Sequence, residues 1–460
     1  MIFSSIPFIF FFFPLCLLFY YIVPFKLKNY VLLFFSLVFY AWGEPVYVFL
    51  MIFSCLFNYL CGIFMEKFEK KKKLILILCV IINILLLGFY KYGNFVIENI
   101  NSILNLNINK LDISLPIGIS FFTFQTMSYV IDVYRKEVKV SHNFFTFTTY
   151  VSMFPQLIAG PIVRYETVEK ELEKREINFE NYQNGLIRFL EGLFKKVLIA
   201  NTTGFLWNII SSNTYNSVLT SWLGIIAFSI QIYFDFSGYS DMAIGMGKML
   251  GFNYLENFNY PYIATSITDF WRRWHISLSS WFRDYVYIPL GGSRCKKIIN
   301  IRNILIVWLL TGIWHGASWN FIIWGLYFGL ILIVEKYMLK KQLEKLPLFF
   351  KHLYSILLII IGWLIFAFED MSLFTNYFKS LIGINNKFID NNFMFYLTNY
   401  GFVIIIGIVF STPIYKEIKE KINKNNWLKI ILYLIYLLLF IITISFIVSD
   451  TYNPFLYFRF

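Results

Sequence analysis

His275 and His315 are the residues of this chain whose type and setting best suit proton-transfer chemistry. The chain holds four histidines, and these two stand next to or within apolar runs. His315 sits in WHGASWNF (314–321), between ILIVWLLTGI and IIWGLYFGLILIV. An ionisable ring at membrane depth is costly and is by default a candidate functional group. The competing reading, a hydrogen-bonded core histidine, stays open for both. His142 and His352 adjoin basic loops and are expected to be solvated.

A neutral imidazole in a dry, partly open cavity suits acyl transfer to a hydroxyl. An alcohol is a weak nucleophile near neutral pH, and a positioned base accelerates its attack about 10²–10⁴-fold. Imidazole, with an unperturbed pKa of about 6.5, takes that proton and releases it again. An acyl thioester is already activated, so no metal or redox cofactor is expected. No HExxH, GxSxG or P-loop motif occurs in the chain. Four of the five cysteines lie in apolar runs, and no CxxC pair points to zinc or a disulfide framework.

The second chemistry-bearing stretch is YPYIATSITDFWRRWHISLSSWFRDYVYIPLGGSR (260–294), which ends in a basic loop. The functional reading is a polar site recessed into the membrane. Its candidate substrate- or donor-binding residues are Asp269, Trp271, Arg272, Arg273, Trp274 and Arg283, joined around His315 by Trp314, Trp319 and Asn320. The alternative is an amphipathic interfacial helix, with arginines on lipid phosphates and tryptophans at headgroup depth.

The elements that must position these groups are membrane helices. The chain is 58% hydrophobic and 15% charged, with a mean hydropathy of +0.63, which no soluble core requires. The net charge of +13 lies in short loops between apolar runs, so it reads as orientation by positive charge rather than nucleic-acid binding. Apolar runs fall at 6–23, 30–43, 46–64, 74–93, 113–131, 186–210, 219–237, 303–335, 354–369, 395–413 and 427–448. With 303–335 long enough for two short passes, that gives about eleven or twelve spans, the first retained rather than cleaved as a signal. Lysine-rich loops at 66–73, 336–351 and 416–429 belong on the cytoplasmic side, which puts the N-terminus outside. Residues 144–160, broken by Pro155 and Gly160, read as a re-entrant or interfacial helix. One all-α intramembrane domain, 1–460, is the simplest organisation. Its catalytic core lies at about 113–335, between N-terminal helices (1–112) and C-terminal helices (350–460).

Four segments together resemble the membrane-bound O-acyltransferase family: FPQLIAGPIVRY (154–165), YFDFSGYSDMAIGMGKMLGF (233–252), the stretch 256–294, and GIWHGASWNFIIWGLYFG (312–329). The alginate O-acetyltransferase branch is the nearest likeness, strengthened by the ending YNPFLYFRF (452–460). The resemblance implies helices tilted around a central funnel or tunnel. It implies His315 as the catalytic histidine and His275 as the second functional position. It further implies an acyl-CoA or acyl-carrier thioester arriving from the cytoplasm, an acceptor glycan on the other side, and an extracytoplasmic acetyltransferase partner. The expected location is the bacterial cytoplasmic membrane. Phe328 stands where members often carry a histidine, so no role is carried over there.

Three functions follow in order. The first is O-acetylation of an exported polysaccharide or cell-wall glycan. The second is D-alanyl transfer to teichoic acid from a carrier protein, since that branch shares the FWRRWHISLS core. The third, a transporter or lipid-glycan flippase, predicts inverted repeats, and none is visible.

Overall fold

The computed structural model describes residues 1–158, 160–213, 216–384, 387–449 and 456. The ending at 452–460 therefore lies outside the described residues except for Leu456. Among the described residues every regular element is a helix. They pack as two compact units, Met1–Phe189 with Met242–Leu255, and Leu190–Asp241 with Glu256–Phe460.

The first unit opens with α1 (Phe8–Ile22), α2 (Phe25–Gly43), α3 (Tyr47–Lys67) and α4 (Lys72–Leu104), followed by α5 (Ile119–Arg135). α4 packs on α3 and α5 yet has only 11% of its membrane window buried. Lipid is as apolar as a leucine side chain, so helices in it associate through packing and polar contacts rather than the hydrophobic effect. The tie between α3 and α4 is such a contact. Asn58 Nδ2 donates to Asn83 Oδ1 at 3.1 Å, and Asn83 Nδ2 returns a bond to Asn58 Oδ1 at 2.9 Å. The broken stretch 144–160 forms α6 (Phe144–Ser152) and a one-turn helix Phe154–Leu157. Asn143 caps α6 by accepting from the Thr146 amide, and the Ser36 hydroxyl accepts from the Phe154 amide. Both segments are largely buried, so this interrupted backbone is held in protein, where its polar groups find partners. α7 (Tyr165–Glu173) follows.

α8 (Phe179–Phe194) runs through a π-helical stretch, Lys195–Asn201, into α9 (Thr202–Ser211). α10 (Val218–Met249) is the most buried of the long helices, with 78% of its window inside protein. In the second unit a buried ion pair joins Lys196 to Asp235 at 2.6 Å, and the Leu456 amide donates to Asp235 Oδ2 at 2.9 Å.

The helices that carry the site come next: α11 (Ile267–Arg273), α12 (Ile276–Phe282), α13 (Lys297–His315) and α14 (Trp319–Val334). α15 (Lys340–Lys345), α16 (Leu348–Ala367), α17 (Met371–Leu381), α18 (Asn391–Phe410), α19 (Ile414–Ile422) and α20 (Asn426–Ser449) complete the chain. α13 and α14 form a hairpin whose backbones touch. A Cβ on Gly312 would lie 2.3 Å from the Phe321 carbonyl oxygen, and one on Gly325 would lie 2.4 Å from that of Trp308. Small residues allow that approach, as they do wherever membrane helices pack closely.

Every apolar run expected as a pass falls on a helix, and 303–335 divides into α13 and α14. Among the described residues eight helices are long and apolar enough to cross a membrane: α3, α4, α10, α13, α14, α16, α18 and α20. The other runs fall on helices that are shorter or more polar. The protein is an all-α polytopic membrane protein.

Candidate active site

α11 is a seven-residue helix with a strong start and an abrupt stop. Ser266 caps it by accepting from the Asp269 amide at 3.0 Å, while Asp269 Oδ2 accepts from the Thr265 amide, a reciprocal cap. A second anchor comes from Glu335, in a π-helical turn (Glu335–Leu339) that extends α14. Its buried carboxylate accepts from the Ile267 amide (2.7 Å), the Thr268 amide (2.8 Å) and the Thr268 hydroxyl (2.6 Å). Glu335→Ala leaves these donors without an acceptor, at about 1–3 kcal/mol for each that stays buried. A lower thermal midpoint is therefore expected for that variant in detergent, with Glu335→Gln in between. Midpoints equal to that of the parent would mean the anchor does not hold α11.

The helix stops because Trp274 is extended and His275 has φ +45°, a left-handed conformation uncommon among non-glycine residues that local contacts must hold. The constraint is Asn257. Its carbonyl oxygen accepts from the Ile276 amide, and its Oδ1 accepts from the Ser277 amide (3.2 Å) and hydroxyl (2.9 Å). His275 Nδ1 lies 3.2 Å from the same Oδ1. An oxygen that accepts from a backbone amide is an acceptor, so Nδ1 carries the proton and Nε2 carries the lone pair. Nε2 has no hydrogen-bond partner among the described residues, and His275 is 1% exposed. Burial lowers its pKa, which keeps the ring neutral.

His315 is the last residue of α13, just before the hairpin turn. Its ring meets Trp324, Trp314 and Phe366 edge-on at centroid distances of 4.9, 5.1 and 5.4 Å. Trp314 also lies 6.0 Å from the His275 ring, so one indole bridges the two imidazoles.

Both histidines line one cavity of about 710 Å³. Ile304, Val307, Trp308, Thr311 and His315 form part of its wall, a single stripe of α13 at helical spacing. That stripe runs about 16 Å along the helix axis. The lining also carries charge. Arg272, Arg283, Lys336, Lys340 and Lys351 line the cavity with Glu335 and Glu344, so cations outnumber carboxylates. Lys336 is held at the level of Asn300, to whose Oδ1 it donates at 2.6 Å, beyond the end of the stripe remote from His315.

The candidates divide clearly. Trp271, Arg272, Trp274, Arg283, His275 and His315 line the cavity. Asp269 and Arg273 do not; they pair with each other at 2.9 Å, one turn apart. Asn320 donates to the Phe366 carbonyl at 3.2 Å and holds the end of α16. Trp319 is 55% exposed, turned outward by the hairpin. His142 is exposed, as expected, and pairs with Glu66 at 3.4 Å; His352 is half-buried against the Ala264 carbonyl. Asn257 and Glu335 escaped sequence reasoning. The signal available for Glu335 was an acid directly ending a sixteen-residue apolar helix. Among the described residues no group of three or more His, Cys, Asp or Glu is placed to hold a metal ion.

Residues 111–378 match the model of the membrane-bound O-acyltransferase family. A probable alginate O-acetylase of Pseudomonas aeruginosa is 40% identical over 83% of this chain and 75% of its own length. A peptidoglycan O-acetyltransferase of Helicobacter pylori is 37% identical over 84% of this chain and 80% of its own. A teichoic acid D-alanyltransferase of Bacillus subtilis is 32% identical over 50% of this chain and 62% of its own.

Proposed function

Because this chain belongs to the membrane-bound O-acyltransferase family, we propose that it moves an acetyl group from a cytoplasmic thioester to hydroxyls of an exported polysaccharide or cell-wall glycan. His315 is the catalytic imidazole of this reading. The observation that carries it is the single cavity that joins a basic mouth to two buried histidines. Its mouth lies at the lysine-rich stretch 336–351, which positive charge assigns to the cytoplasm. Arg272, Arg283, Lys336, Lys340 and Lys351 meet the phosphates of coenzyme A or the acidic face of a carrier protein, and the acyl chain extends along the α13 stripe. Ile304, Val307 and Trp308 on that stripe give the acyl end an apolar bed, which shields the thioester from hydrolysis.

At the inner end a hydroxyl needs a base. The acceptor's proton passes to imidazole as oxygen attacks the acyl carbon, and then to the departing sulfur, so the thiol leaves neutral. His315 performs this transfer or briefly carries the acyl group, and a trapped acyl-histidine separates the two. His275, whose ring Asn257 holds with Nε2 as an acceptor, takes a hydrogen bond from a second hydroxyl of the sugar and so orients the acceptor while His315 removes the proton of the attacking one. The relatives that act on alginate and peptidoglycan support a glycan acceptor, reached directly or through an extracytoplasmic transferase. The location is the bacterial cytoplasmic membrane, and one intramembrane domain does the work.

Ester-linked acetate in envelope glycans, measured in cells with and without this protein, tests the reading. Loss of the acetate is expected. Unchanged acetate with loss of D-alanine esters from teichoic acid would transfer the assignment to the second reading, which the B. subtilis relative favours.

A further inference from the structure

We propose that the indole N–H of Trp271 is the hydrogen-bond donor that holds the acyl carbonyl oxygen during transfer. The assignment rests on the acetyl-transfer reading above and gives one of its residues a defined chemical step. Trp271 lines the cavity and is 9% exposed, and its Nε1 has no hydrogen-bond partner among the described residues. A buried indole N–H normally finds an acceptor, and leaving one unmet costs about 1–3 kcal/mol. Such a donor is retained where a ligand supplies the acceptor.

The ring is also held rigidly. Trp308, Phe328 and Trp324 meet it edge-on at 4.6, 4.9 and 5.5 Å, and Glu335 anchors the helix that carries it. Trp324 is the same ring that packs on His315 at 4.9 Å, so one indole touches both Trp271 and His315, and both of these form part of the wall of one cavity. Nearby hydroxyls on that wall are already committed. Thr311 donates to the Val307 carbonyl, and Thr268 donates to Glu335.

In the step itself, the acceptor oxygen forms a bond to the acyl carbon. The carbonyl π pair moves onto oxygen, where the Trp271 N–H meets it, and imidazole takes the hydroxyl proton. Collapse restores the C=O bond, breaks the C–S bond, and sends its electron pair to sulfur, which collects the proton. Ester and free thiol result, with no other reactant.

Detergent-permeabilised membranes from the native cells, which expose both faces to added acetyl-coenzyme A and alkali-deacetylated envelope polysaccharide, provide the assay. Trp271→Phe keeps the packing ring and removes the donor. Its kcat is expected to fall about 10²–10³-fold, the usual loss for one oxyanion donor, with KM for acetyl-coenzyme A little changed. Dithioacetyl-coenzyme A, whose thiocarbonyl sulfur accepts hydrogen bonds poorly, should shrink the gap between Trp271→Phe and the parent. A raised KM with kcat intact, or an equal gap with both donors, would overturn the assignment and leave Trp271 as cavity wall. Should Trp271→Phe fail to accumulate, the two donors compared on Trp271→His, which keeps a ring N–H, decide the question: turnover as low as a donor-free site, unaltered by the thiocarbonyl, counts against it. If permeabilised parent membranes transfer no acetate, the acetyl-transfer reading itself falls, and the assignment with it.

Discussion

Replacing His315 with alanine is expected to abolish acetyl transfer while the protein remains inserted in the membrane. Loss of a positioned base alone removes about 10²–10⁴ in rate. Misplacement of the acceptor, once the imidazole no longer fills the cavity end, adds to that. Insertion should survive, because His315 ends α13 and its neighbours Trp324, Phe366 and Trp314 are held elsewhere. The measurement is glycan acetate in cells that carry the variant, with immunodetection of the protein in the membrane fraction. Normal acetate at normal protein level would remove His315 from the mechanism. His315→Gln sharpens the result, since an amide offers hydrogen bonds of similar reach and cannot shuttle a proton. Activity retained by glutamine would make the role one of polar contact only.

The second large effect is expected from Gly325→Val. The first added carbon would lie 2.4 Å from the Trp308 carbonyl oxygen and 3.2 Å from Gly312 Cα, both backbone atoms that cannot swing aside. α13 and α14 must separate. Overpacking of this kind costs about 1–3 kcal/mol where side chains can yield, and more where they cannot. Separation carries Trp308 and His315 away from Trp324 and breaks the α13 stripe that walls the cavity. A drop in thermal midpoint in detergent and loss of acetyl transfer should appear together. Retention of both would mean that the hairpin opens at no cost to the site. Gly88, around which a Cβ finds open space, supplies the control: Gly88→Ala should match the parent in both measurements.

Membrane architecture was legible because lipid imposes a simple rule, that an apolar run of sufficient length becomes a helix. The hairpin at 303–335 could be read from length alone, and the broken stretch 144–160 from its proline and glycine. The site was half legible. His275 and His315 announced themselves as polar rings in apolar surroundings, and the 304, 307, 308, 311, 315 stripe has plain helical spacing. Asn257 and Glu335 did not, because their partners lie far along the chain: Glu335 serves Ile267, and Asn257 serves Ser277. Sequence proximity also misleads at a turn. Trp314 and Trp319 both flank His315 in sequence, yet the former is buried between the imidazoles and the latter is exposed. Conversely Lys336 and Lys351, legible only as loop charges, line the same cavity as His315.

α4 has a consequence that lies outside the site. Its 33 residues make a rod about 50 Å long, against a hydrocarbon core of about 30 Å. Such a rod leans or projects, and the angle is set by whatever restrains it. Here the restraints are polar and spread along the helix: the reciprocal amide pair of Asn58 and Asn83, Lys91 donating to the Ser120 hydroxyl, and Asn94 paired with the backbone of Leu111. A lean imposed by bilayer thickness is therefore resisted by hydrogen bonds at several heights, while the lipid-facing surface offers no hold.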